Sequence, residues 1–258
     1  MIAVTAAMAL PMYALVNLAL RPQSDPSQSL RPTTNPTLAN FTQAWRIGGM
    51  QRAAINSILV TTISVLAVVS ISAMAAYPLA RATHRWSRLS FAIVMIGLLI
   101  PFQLGLLPLY KTMQQLGLIG SRWGLVLFYA GLQMPFATFL YTSFLRALPR
   151  DYEEAALLDG CSPAAAFWQV VLPLLRPVTG TVVVLNAVFI WNDFLTPLLY
   201  LGGSSQQTLP VAVSGFVGQY ISNWPLVFAG LVIAMAPILL LYFVLQRHVI
   251  RGFTGGLK

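Results

Sequence analysis

Residues 55–80 read INSILVTTISVLAVVSISAMAAYPLA, a stretch that contains no charged side chain. A run of about 20 mainly apolar residues is long enough to cross the hydrocarbon core of a bilayer as an α-helix. The apolar side chains do not alternate with polar ones, as they would in a strand of a membrane β-barrel. Because backbone groups in lipid must pair within their own segment, a helix suits this stretch best. The stretch therefore predicts a membrane-spanning helix.

The composition of the whole chain supports the same conclusion. Of its 258 residues, 57% are hydrophobic and only 8% are charged, and the mean hydropathy is +0.75. A soluble domain carries about 25% charged residues, so most of this protein's exterior must face lipid. We expect an all-α, polytopic membrane fold with about six transmembrane helices in a single domain, residues 1–258. The spans are expected at approximately residues 2–20, 55–80, 90–110, 123–146, 177–201 and 225–246.

The placement of basic residues suggests an orientation. If both termini are cytoplasmic, nine of the 15 Lys and Arg residues fall on the inner side and six on the outer side. Cytoplasmic loops of membrane proteins carry an excess of Lys and Arg, so this orientation is favoured. The first span, residues 2–20, could instead be the apolar part of a signal peptide. It lacks the basic segment that precedes such a part, which favours a true span.

The charge and the few reactive side chains argue against other classes of protein. The net charge is +9, but the basic residues stand singly or in short groups beside apolar runs. That arrangement fits an anionic membrane face better than a nucleic acid. Cys161 is the only cysteine, which excludes an intramolecular disulfide and a cysteine-rich zinc site. His84 and His248 belong to no metal-binding or catalytic motif, so we expect neither a metal site nor an enzyme.

The most informative hydrophilic segment is a loop at about residues 147–176. Within it, residues 151–160 read DYEEAALLDG and hold four of the chain's six acidic residues. Asp151 and Glu154 are three positions apart, as in a capping box, which predicts that a short helix begins there. Gly160 is suited to end that helix, since glycine adopts the left-handed conformation without steric cost.

A second short helix is expected directly after the first. Ser162 has the side chain of a helix N-cap, and Pro163 suits the first helical turn. Leu172 precedes Pro173 and is therefore disfavoured in the helical conformation, which predicts the end of this helix. The 147–176 loop would thus form a pair of short helices outside the membrane.

Two features of the first loop helix point to a partner surface. Asp159 is expected in its last turn, where the helix dipole disfavours a carboxylate by about 0.3–1 kcal/mol. A basic group on another protein, or the N-terminus of the next helix, would compensate for this cost. Ala155 and Ala156 are small enough to let another surface approach closely.

Several segments of the sequence resemble a known family. One segment resembles the EAA motif of ABC importer permeases. It consists of Glu154-Ala155-Ala156, then Gly160 after three residues, then VVLP at 170–173 after nine more residues. Family members usually have isoleucine where Val170 stands. The segments WNDF at 191–194 and GFTGGLK at 252–258 are similar to carbohydrate-uptake permeases, above all to the smaller permease of maltose-type systems.

The resemblance implies a permease subunit of an ATP-driven carbohydrate importer in the cytoplasmic membrane of a bacterium or archaeon. In that family the loop docks on a cytoplasmic ATPase, whose closure moves the spans as rigid bodies. The implied partners are a second permease subunit, two ATPase subunits or domains, an extracytoplasmic substrate-binding protein and the lipid bilayer. The implied ATPase-coupling residues are Glu153, Glu154, Ala155, Ala156, Asp159, Gly160, Leu172 and Pro173. The alternative is that the acidic pair merely caps and solvates a loop.

The chain itself shows no ATP-binding motif. It lacks a phosphate loop of the form G-x-x-x-x-G-K-[ST]. We therefore expect ATP and Mg on the partner ATPase and no cofactor on this chain. A self-contained secondary transporter or channel is the competing interpretation. Such a protein needs intramembrane ionisable residues to couple an ion gradient, and only Asp193 qualifies.

The candidate residues of the substrate path are Asn192 and Asp193, with Gln103 and Gln133 in addition. Asp193 is the only acidic residue well inside a predicted span, where a charge costs at least about 2.5 kcal/mol in lipid. It should therefore face the bundle or a water-filled cavity. There Asn192 and Asp193 can accept hydrogen bonds from sugar hydroxyls or hold a gate. The alternatives are a structural cap for Asp193 and inter-helix hydrogen bonds for Gln103 and Gln133.

Prolines and tryptophans near the spans each have two interpretations. Pro101, Pro108 and Pro135 should kink their helices, either as static bends or as hinges. Tryptophans can stack on sugar rings, although anchoring at the membrane interface is the simpler explanation. The tryptophans concerned are Trp45, Trp123, Trp191 and Trp224.

Overall fold

A computed structural model describes residues 2–24, 30–220 and 223–254 of the chain. Within these residues the fold is helical and contains no β-strand, as predicted. A short π-helical segment, Phe167–Val171, joins two of the helices. The α-helices are α1 (Ile2–Ala19), α2 (Ala39–Ile47), α3 (Met50–Arg81), α4 (Arg85–Leu99), α5 (Phe102–Gln115), α6 (Arg122–Ala147), α7 (Asp151–Leu158), α8 (Pro163–Ala166), α9 (Leu172–Leu174), α10 (Arg176–Asn192), α11 (Leu195–Leu201), α12 (Leu209–Gln219) and α13 (Trp224–Thr254).

Several of these helices are long and apolar enough to cross a bilayer. In the described part of the chain, three qualify on their own: α3, α6 and residues 224–244 of α13. Two bent helix pairs add two spans if each pair counts as one: α4 with α5, bent by 98°, and residues 163–174 with α10, bent by 69°. Four of these five lie at predicted positions, and the fifth, residues 163–192, overlaps the predicted span 177–201 only through α10. The remaining predicted span, residues 2–20, coincides with α1, whose residues 7–19 form a shorter apolar helix.

The third predicted span, residues 90–110, is not one continuous helix. Helix α4 ends at Leu99, Ile100 is extended with φ −82° and ψ 116°, and α5 begins at Phe102. Pro101 stands between them and disfavours the helical conformation for the residue before it. The chain therefore breaks and turns sharply at this proline instead of bending as a kinked helix.

The fifth predicted span, residues 177–201, is also interrupted. Helix α10 ends at Asn192 and α11 begins at Leu195, so Asp193 lies at a break and not inside a helix. Its Oδ1 accepts the N–H of Leu195 at 3.1 Å and that of Thr196 at 3.4 Å. A short acidic side chain that binds nearby amides in this way competes with the continuation of a helix.

The contacts within the chain divide it into two compact units. Helices α3, α6, α10 and α13 each have residues in both units. The organisation of residues 1–258 as a single domain stays a prediction. Unit 1 consists of Met1–Leu59, Gly120–Arg122 and Trp191–Leu240, and unit 2 consists of Val60–Ile119, Trp123–Ile190 and Leu241–Lys258.

The core of unit 2 is built mainly from small and branched side chains. Small residues let membrane helices approach closely. Tyr141, the largest member, is fully buried and its hydroxyl donates to Thr179 Oγ1 at 3.0 Å. Phe167 and Val171 also belong to this core, so the second loop helix packs firmly within unit 2. The buried cluster comprises Val68, Ala73, Ala76, Ala137, Tyr141, Leu145, Phe167, Val171, Leu175, Val178 and Val182.

Hydrogen bonds between distant segments connect the helices of unit 1. Asn56 Nδ2 donates to the carbonyl of Gln207 at 3.0 Å, and Ser57 Oγ accepts the N–H of Leu209 at 2.8 Å. Asn56 and Ser57 are each only 3% exposed. Because buried polar groups must be paired, these bonds fix the first turns of α3 against the start of α12.

Candidate functional site

The first loop helix, α7, begins at Asp151, as the sequence predicts, but without the expected capping box. Its N-cap residue is Arg150, which is helical and makes no side-chain cap bond. Asp151 is therefore already the first helical residue, and its side chain cannot cap the helix. The carbonyl of Arg150 instead accepts the N–H groups of Glu153 and Glu154 at 2.9 and 3.0 Å. The three carboxylates of the first turn are still favoured by the helix dipole.

The end of α7 has the hydrogen bonds of a Schellman motif. Gly160 has φ +86°, in the left-handed region that glycine adopts most easily. Its N–H donates to the carbonyl of Leu157 at 3.1 Å, and the N–H of Cys161 donates to the carbonyl of Ala156 at 3.0 Å. These are the two bonds that define the motif. The prediction that Gly160 ends the helix is confirmed.

The second loop helix starts at a capped proline. Ser162 is extended, and its Oγ accepts the N–H of Ala165 at 3.2 Å. Pro163 follows as the first helical residue, where its missing N–H is not needed. The predicted start of this helix is confirmed.

The predicted end of the second loop helix at Leu172 is wrong. The chain passes through the π-helical segment Phe167–Val171 and continues through Pro173 to Leu174. Pro173 lies in the first turn of the resumed α-helix, where a proline is tolerated. Leu172 packs against the core of unit 2, whereas Pro173 is exposed. The sharp bend follows at Leu175, before α10.

Glu153 is held within unit 2 by an ion pair with Arg81, at the end of α3. Its Oε1 lies 2.6 Å from Arg81 Nη2 and 2.8 Å from Arg81 Nε, and its Oε2 accepts the Tyr77 hydroxyl at 3.2 Å. The side chains of Arg81 and Glu153 are only 13% and 10% exposed. Arg81 also donates to the carbonyl of Leu148 at 3.2 Å. The first loop helix is thereby fastened to the end of a candidate span.

The other coupling candidates on α7 and its cap divide into exposed and buried residues. Glu154, Ala155, Asp159 and Gly160 are exposed, whereas Ala156 is buried. One side of α7 therefore packs within the chain, and the opposite side offers two carboxylates next to a small residue. That side has the acidic character that the sequence suggested for a partner surface, but only Ala155 of the predicted small pair is exposed there, because Ala156 is buried.

Large apolar side chains stand exposed on the same loop. Leu158 is 89% exposed, Trp168 is 55% exposed and Tyr152 is 51% exposed. Exposed apolar side chains rimmed by polar ones are typical of protein–protein or membrane contacts. The loop therefore carries both apolar and charged groups available to another molecule.

Asn192 and Trp191 line a cavity of about 400 Å³ in unit 1. The indole Nε1 of Trp191 donates to the carbonyl of Ala234 at 3.2 Å, which fixes the ring. Phe194 and Ser214 also line the cavity. The rest of its wall is apolar, so the cavity is mostly apolar with two aromatic rings, one amide and one hydroxyl. Its volume is in the usual range of ligand pockets, about 300–1,000 Å³.

The four path candidates differ in their surroundings. Asn192 is exposed and Asp193 is half-buried, and both belong to unit 1. Asp193 caps α11, which is the structural alternative raised from the sequence. Gln103 and Gln133 belong to unit 2, where Gln103 is exposed on α5 and Gln133 is buried on α6. A role of these four residues toward a solute stays a prediction.

A larger cleft of about 870 Å³ lies in unit 1, at the first residues of α3 and α6. It is lined by Arg46, Arg52 and Arg122 and by the indole of Trp45; we call it the arginine cleft. Arg122 is held in place because its Nη1 donates to Asn56 Oδ1 at 3.2 Å. Arg46 and Arg52 lie between the first and second predicted spans and Arg122 lies between the third and fourth, so the orientation predicted from the sequence places all three on the outer side of the membrane.

Sequence reasoning missed the contribution of Arg81 and Tyr77 to the loop. They precede Glu153 by 72 and 76 positions, so no local motif connects them to it. From the sequence, Arg81 is one of several basic residues at the end of a predicted span. The available signal is that this span end falls on the same predicted side of the membrane as most of the chain's acids.

Known proteins with similar sequences are membrane components of importers. Residues 68–255 match the family "Binding-protein-dependent transport system inner membrane component". The melibiose/raffinose/stachyose import permease protein MelC of Bacillus subtilis (strain 168) is 32% identical, over 96% of this chain and 90% of that protein. The probable starch degradation products transport system permease protein AmyC of Thermoanaerobacterium thermosulfurigenes is 36% identical, over 85% of this chain and 80% of that protein.

A solved structure shares the fold. It is the crystal structure of a bacterial ABC transporter involved in the import of the acidic polysaccharide alginate. The TM-score is 0.83 at 20% sequence identity, over 95% of this chain and 92% of that chain. The family match and the relatives, which exceed 30% identity over most of their length, agree with it. This chain belongs to the family of binding-protein-dependent transport system inner membrane components, the permease subunits of ABC importers.

Proposed function

We propose that this permease subunit couples a cytoplasmic ATPase to the import of a carbohydrate. The observation that carries the coupling role is the 147–176 loop, in which an EAA-type sequence forms a capped helix with an exposed acidic side. MelC is a melibiose/raffinose/stachyose import permease protein and AmyC is a probable permease protein for starch degradation products, which supports a carbohydrate as the solute. Residues 1–258 would act as one permease domain.

Glu154 and Asp159 are the groups that we expect to bind the ATPase. Both carboxylates are exposed, so each can pair with a basic side chain of a partner. Leu158, 89% exposed, supplies an apolar anchor between them, as interface cores require. Gly160, with its positive φ, and Pro163, in the first turn of α8, form the connection between the two loop helices that the partner would contact. ATP and Mg would be bound by that ATPase and not by this chain.

The coupling role is tested by reversing the charge of Glu154. We expect Glu154→Lys to reduce both uptake and co-purification of the ATPase by about tenfold or more, because a lysine would repel a basic partner surface. Asp151→Lys is the matched control, since Asp151 is an exposed acid in the same first turn but outside the EAA motif. Equal amounts of both variants in the membrane fraction would show that insertion is intact.

Two results would contradict the coupling role. One is normal uptake and ATPase binding by Glu154→Lys in the assembled importer. The other is an equal loss in Asp151→Lys, which would show that any charge reversal at the start of α7 is harmful. In the second case the effect would arise from the helix dipole and not from a partner contact.

The orientation that fits this role places the 147–176 loop and both termini in the cytoplasm of a bacterium or archaeon. Helix α6 is long enough to cross a bilayer, and a crossing helix has its two ends on opposite sides. Its last residue leads into the loop, so its first residue, Arg122, would lie outside. The arginine cleft would then be open to an extracytoplasmic binding protein. A second permease and two ATPase subunits or domains would complete the importer.

The cavity beside Asn192 is the proposed part of the solute path in this chain. The ring of Phe194, which is 38% exposed, can stack on the apolar face of a sugar, and Asn192 can bond to sugar hydroxyls. Asp193 would act by holding the start of α11, and Gln103 and Gln133 are further candidates on other helices. Asn192→Ala should then lower uptake without changing assembly with the ATPase.

The carbohydrate assignment is tested by transport in vesicles that contain the whole importer. We expect uptake of a labelled maltose-type oligosaccharide that needs ATP and the binding protein, with a labelled neutral amino acid as the control solute. Uptake of amino acid but not oligosaccharide would contradict the carbohydrate assignment. Solute movement by this chain alone, without the ATPase, would instead support a secondary transporter or channel.

A further inference from the structure

We propose that the Arg81–Glu153 ion pair, together with Tyr77, positions the 147–176 loop on α3 and transmits the movement of the loop to that helix. The inference rests on the proposed coupling role of the loop and adds the residues within this chain that receive the movement. Arg81 and Tyr77 are therefore positioning residues, which act through the loop and do not touch the solute.

The end of α3 is the point where both loop helices attach. The first loop helix is attached through Glu153, which accepts hydrogen bonds from Arg81 and Tyr77. The segment after α8 is attached through Phe167, whose ring centroid lies 5.1 Å from that of Tyr77. One turn of α3 thus contacts both halves of the loop, so a displacement of the loop must displace or strain this turn.

The geometry of the ion pair suits the transmission of movement from the loop to α3. Two guanidinium nitrogens of Arg81 reach one oxygen of Glu153, and Tyr77 binds the other oxygen. A planar guanidinium held in this way is restricted in rotation, unlike a single flexible ammonium contact. Both side chains are nearly buried, so solvent screens the attraction only weakly.

The neighbouring acids of α7 have opposite surroundings. Glu153, taken as a whole residue, is only 7% exposed and is bound to α3, whereas Glu154 is exposed. Consecutive residues of an α-helix point in directions about 100° apart, so one helix can present one acid inward and the next outward. We infer that α7 is a link: Glu154 receives the partner's movement and Glu153 passes it to α3.

Other contacts keep the loop folded when the ion pair is removed. The Schellman motif at Gly160 and the N-cap at Ser162 do not involve Arg81 or Glu153. Arg150 also donates to the carbonyl of Arg81 at 3.2 Å, through the backbone and not the side chain of Arg81. Substitutions of Arg81 or Glu153 can therefore be examined in a loop that keeps the hydrogen bonds of its Schellman motif and its N-cap.

The experiment uses the complete importer, reconstituted in vesicles with its ATPase and binding protein. The variants are Arg81→Ala, Glu153→Ala, Glu153→Gln and the charge swap Arg81→Glu with Glu153→Arg. Arg85→Ala is the control, since it removes an exposed cation just after α3 that is not part of the pair. Three quantities are measured for each variant: bound ATPase, ATP hydrolysis and solute uptake.

We expect the pair to affect uptake much more than hydrolysis. Arg81→Ala and Glu153→Ala should keep the bound ATPase and hydrolyse ATP within about twofold of the unaltered rate, while uptake falls about tenfold or more. The ATP hydrolysed per solute imported should rise accordingly. Glu153→Gln, which keeps hydrogen-bonding atoms without the charge, should lie between these variants and the unaltered protein. The charge swap should recover most of the uptake.

Several results would overturn the proposal. An unchanged ratio of hydrolysis to uptake in all variants would show that the pair does not transmit movement. Loss of ATPase binding in every variant, without recovery in the charge swap, would assign the pair to folding of the loop alone. If Glu154→Lys also left uptake unchanged, the coupling role itself would fail; if only the Arg81 and Glu153 variants behaved normally, the coupling role would stand and this proposal alone would fall.

Discussion

Replacing Gly160 tests whether the end of α7 depends on backbone conformation or on packing. Gly160 has φ +86°, and a Cβ added there would meet no atom within 4 Å. The cost of Gly160→Ala is therefore backbone strain alone, about 1–2 kcal/mol for the left-handed conformation. That cost corresponds to a factor of about 5 to 30 in the population of the open loop end.

A series of substitutions at Gly160 should follow this strain. Gly160→Asn should open the loop end less than Gly160→Ala, because asparagine tolerates the left-handed conformation. Gly160→Pro should be the most damaging, because proline fixes φ near −65° and removes the N–H that binds the Leu157 carbonyl. We expect Gly160→Pro to abolish transport without preventing insertion of the chain. Gly131→Ala in α6 is the control, since a Cβ there also meets no atom within 4 Å but φ is not positive.

Hydrogen exchange of the purified importer measures this opening directly. The amides of Gly160 and Cys161 donate the two bonds of the Schellman motif. In Gly160→Ala both should exchange about 5 to 30 times faster than in the unaltered protein, in line with a cost of 1–2 kcal/mol. Exchange at the original rate in Gly160→Ala, or faster exchange in Gly160→Asn than in Gly160→Ala, would refute the reasoning.

Two other predictions concern Asp193 and Gly124. Asp193→Ala removes the acceptor of the first amides of α11 and should lower the free energy of unfolding by about 0.5–2 kcal/mol. Asp193→Asn keeps an acceptor oxygen and should lower this free energy less. Unchanged uptake in the asparagine variant would contradict a path role that depends on charge. Gly124→Ala would place Cβ 2.4 Å from the carbonyl oxygen of Leu118, so the backbone must shift, at a cost of about 1–3 kcal/mol. A melting temperature equal to that of Gly131→Ala would contradict this second prediction.

The local signals of the 147–176 loop could be read from the sequence because they depend on single residues. Gly160 ends a helix through its own backbone freedom, and Ser162 starts one through its own hydroxyl. The capping box at Asp151 failed because the preceding residue, Arg150, enters the helix already in helical conformation. The spacing of Asp151 and Glu154 cannot reveal the conformation of the residue before them.

Proline ended a helix at one position and was accommodated inside helices at two others. Pro101 separates two helices, whereas Pro108 and Pro135 lie inside helices that continue through them. A Cβ on Gly97 would lie 3.2 Å from the ring of Pro135, so α4 packs closely against α6 at that proline. Such packing can compensate for the hydrogen bond that a proline removes. The sequence identifies the prolines but not the packing that decides their effect.

Long-range pairing was beyond sequence reasoning. The partner of Glu153 lies 72 positions away, at the end of another helix. The sequence predicts that both ends lie on the same side of the membrane, but not which of the nearby basic residues faces the acid. The resemblance to the EAA motif singles out Glu154, but the pairing of the adjacent Glu153 with Arg81 was visible only in the structure.

The break between α10 and α11 limits which surroundings this part of the protein can have. Where a helix stops, the carbonyl groups of its last turn have no partner inside the helix. Hydrocarbon offers them none, so irregular backbone at membrane depth persists only beside protein or water. If the break lies within the bilayer, the stretch around Asn192 must be shielded from acyl chains throughout the transport cycle. The protein or water that surrounds this stretch could then not be replaced by lipid at any stage of transport, even while the spans move.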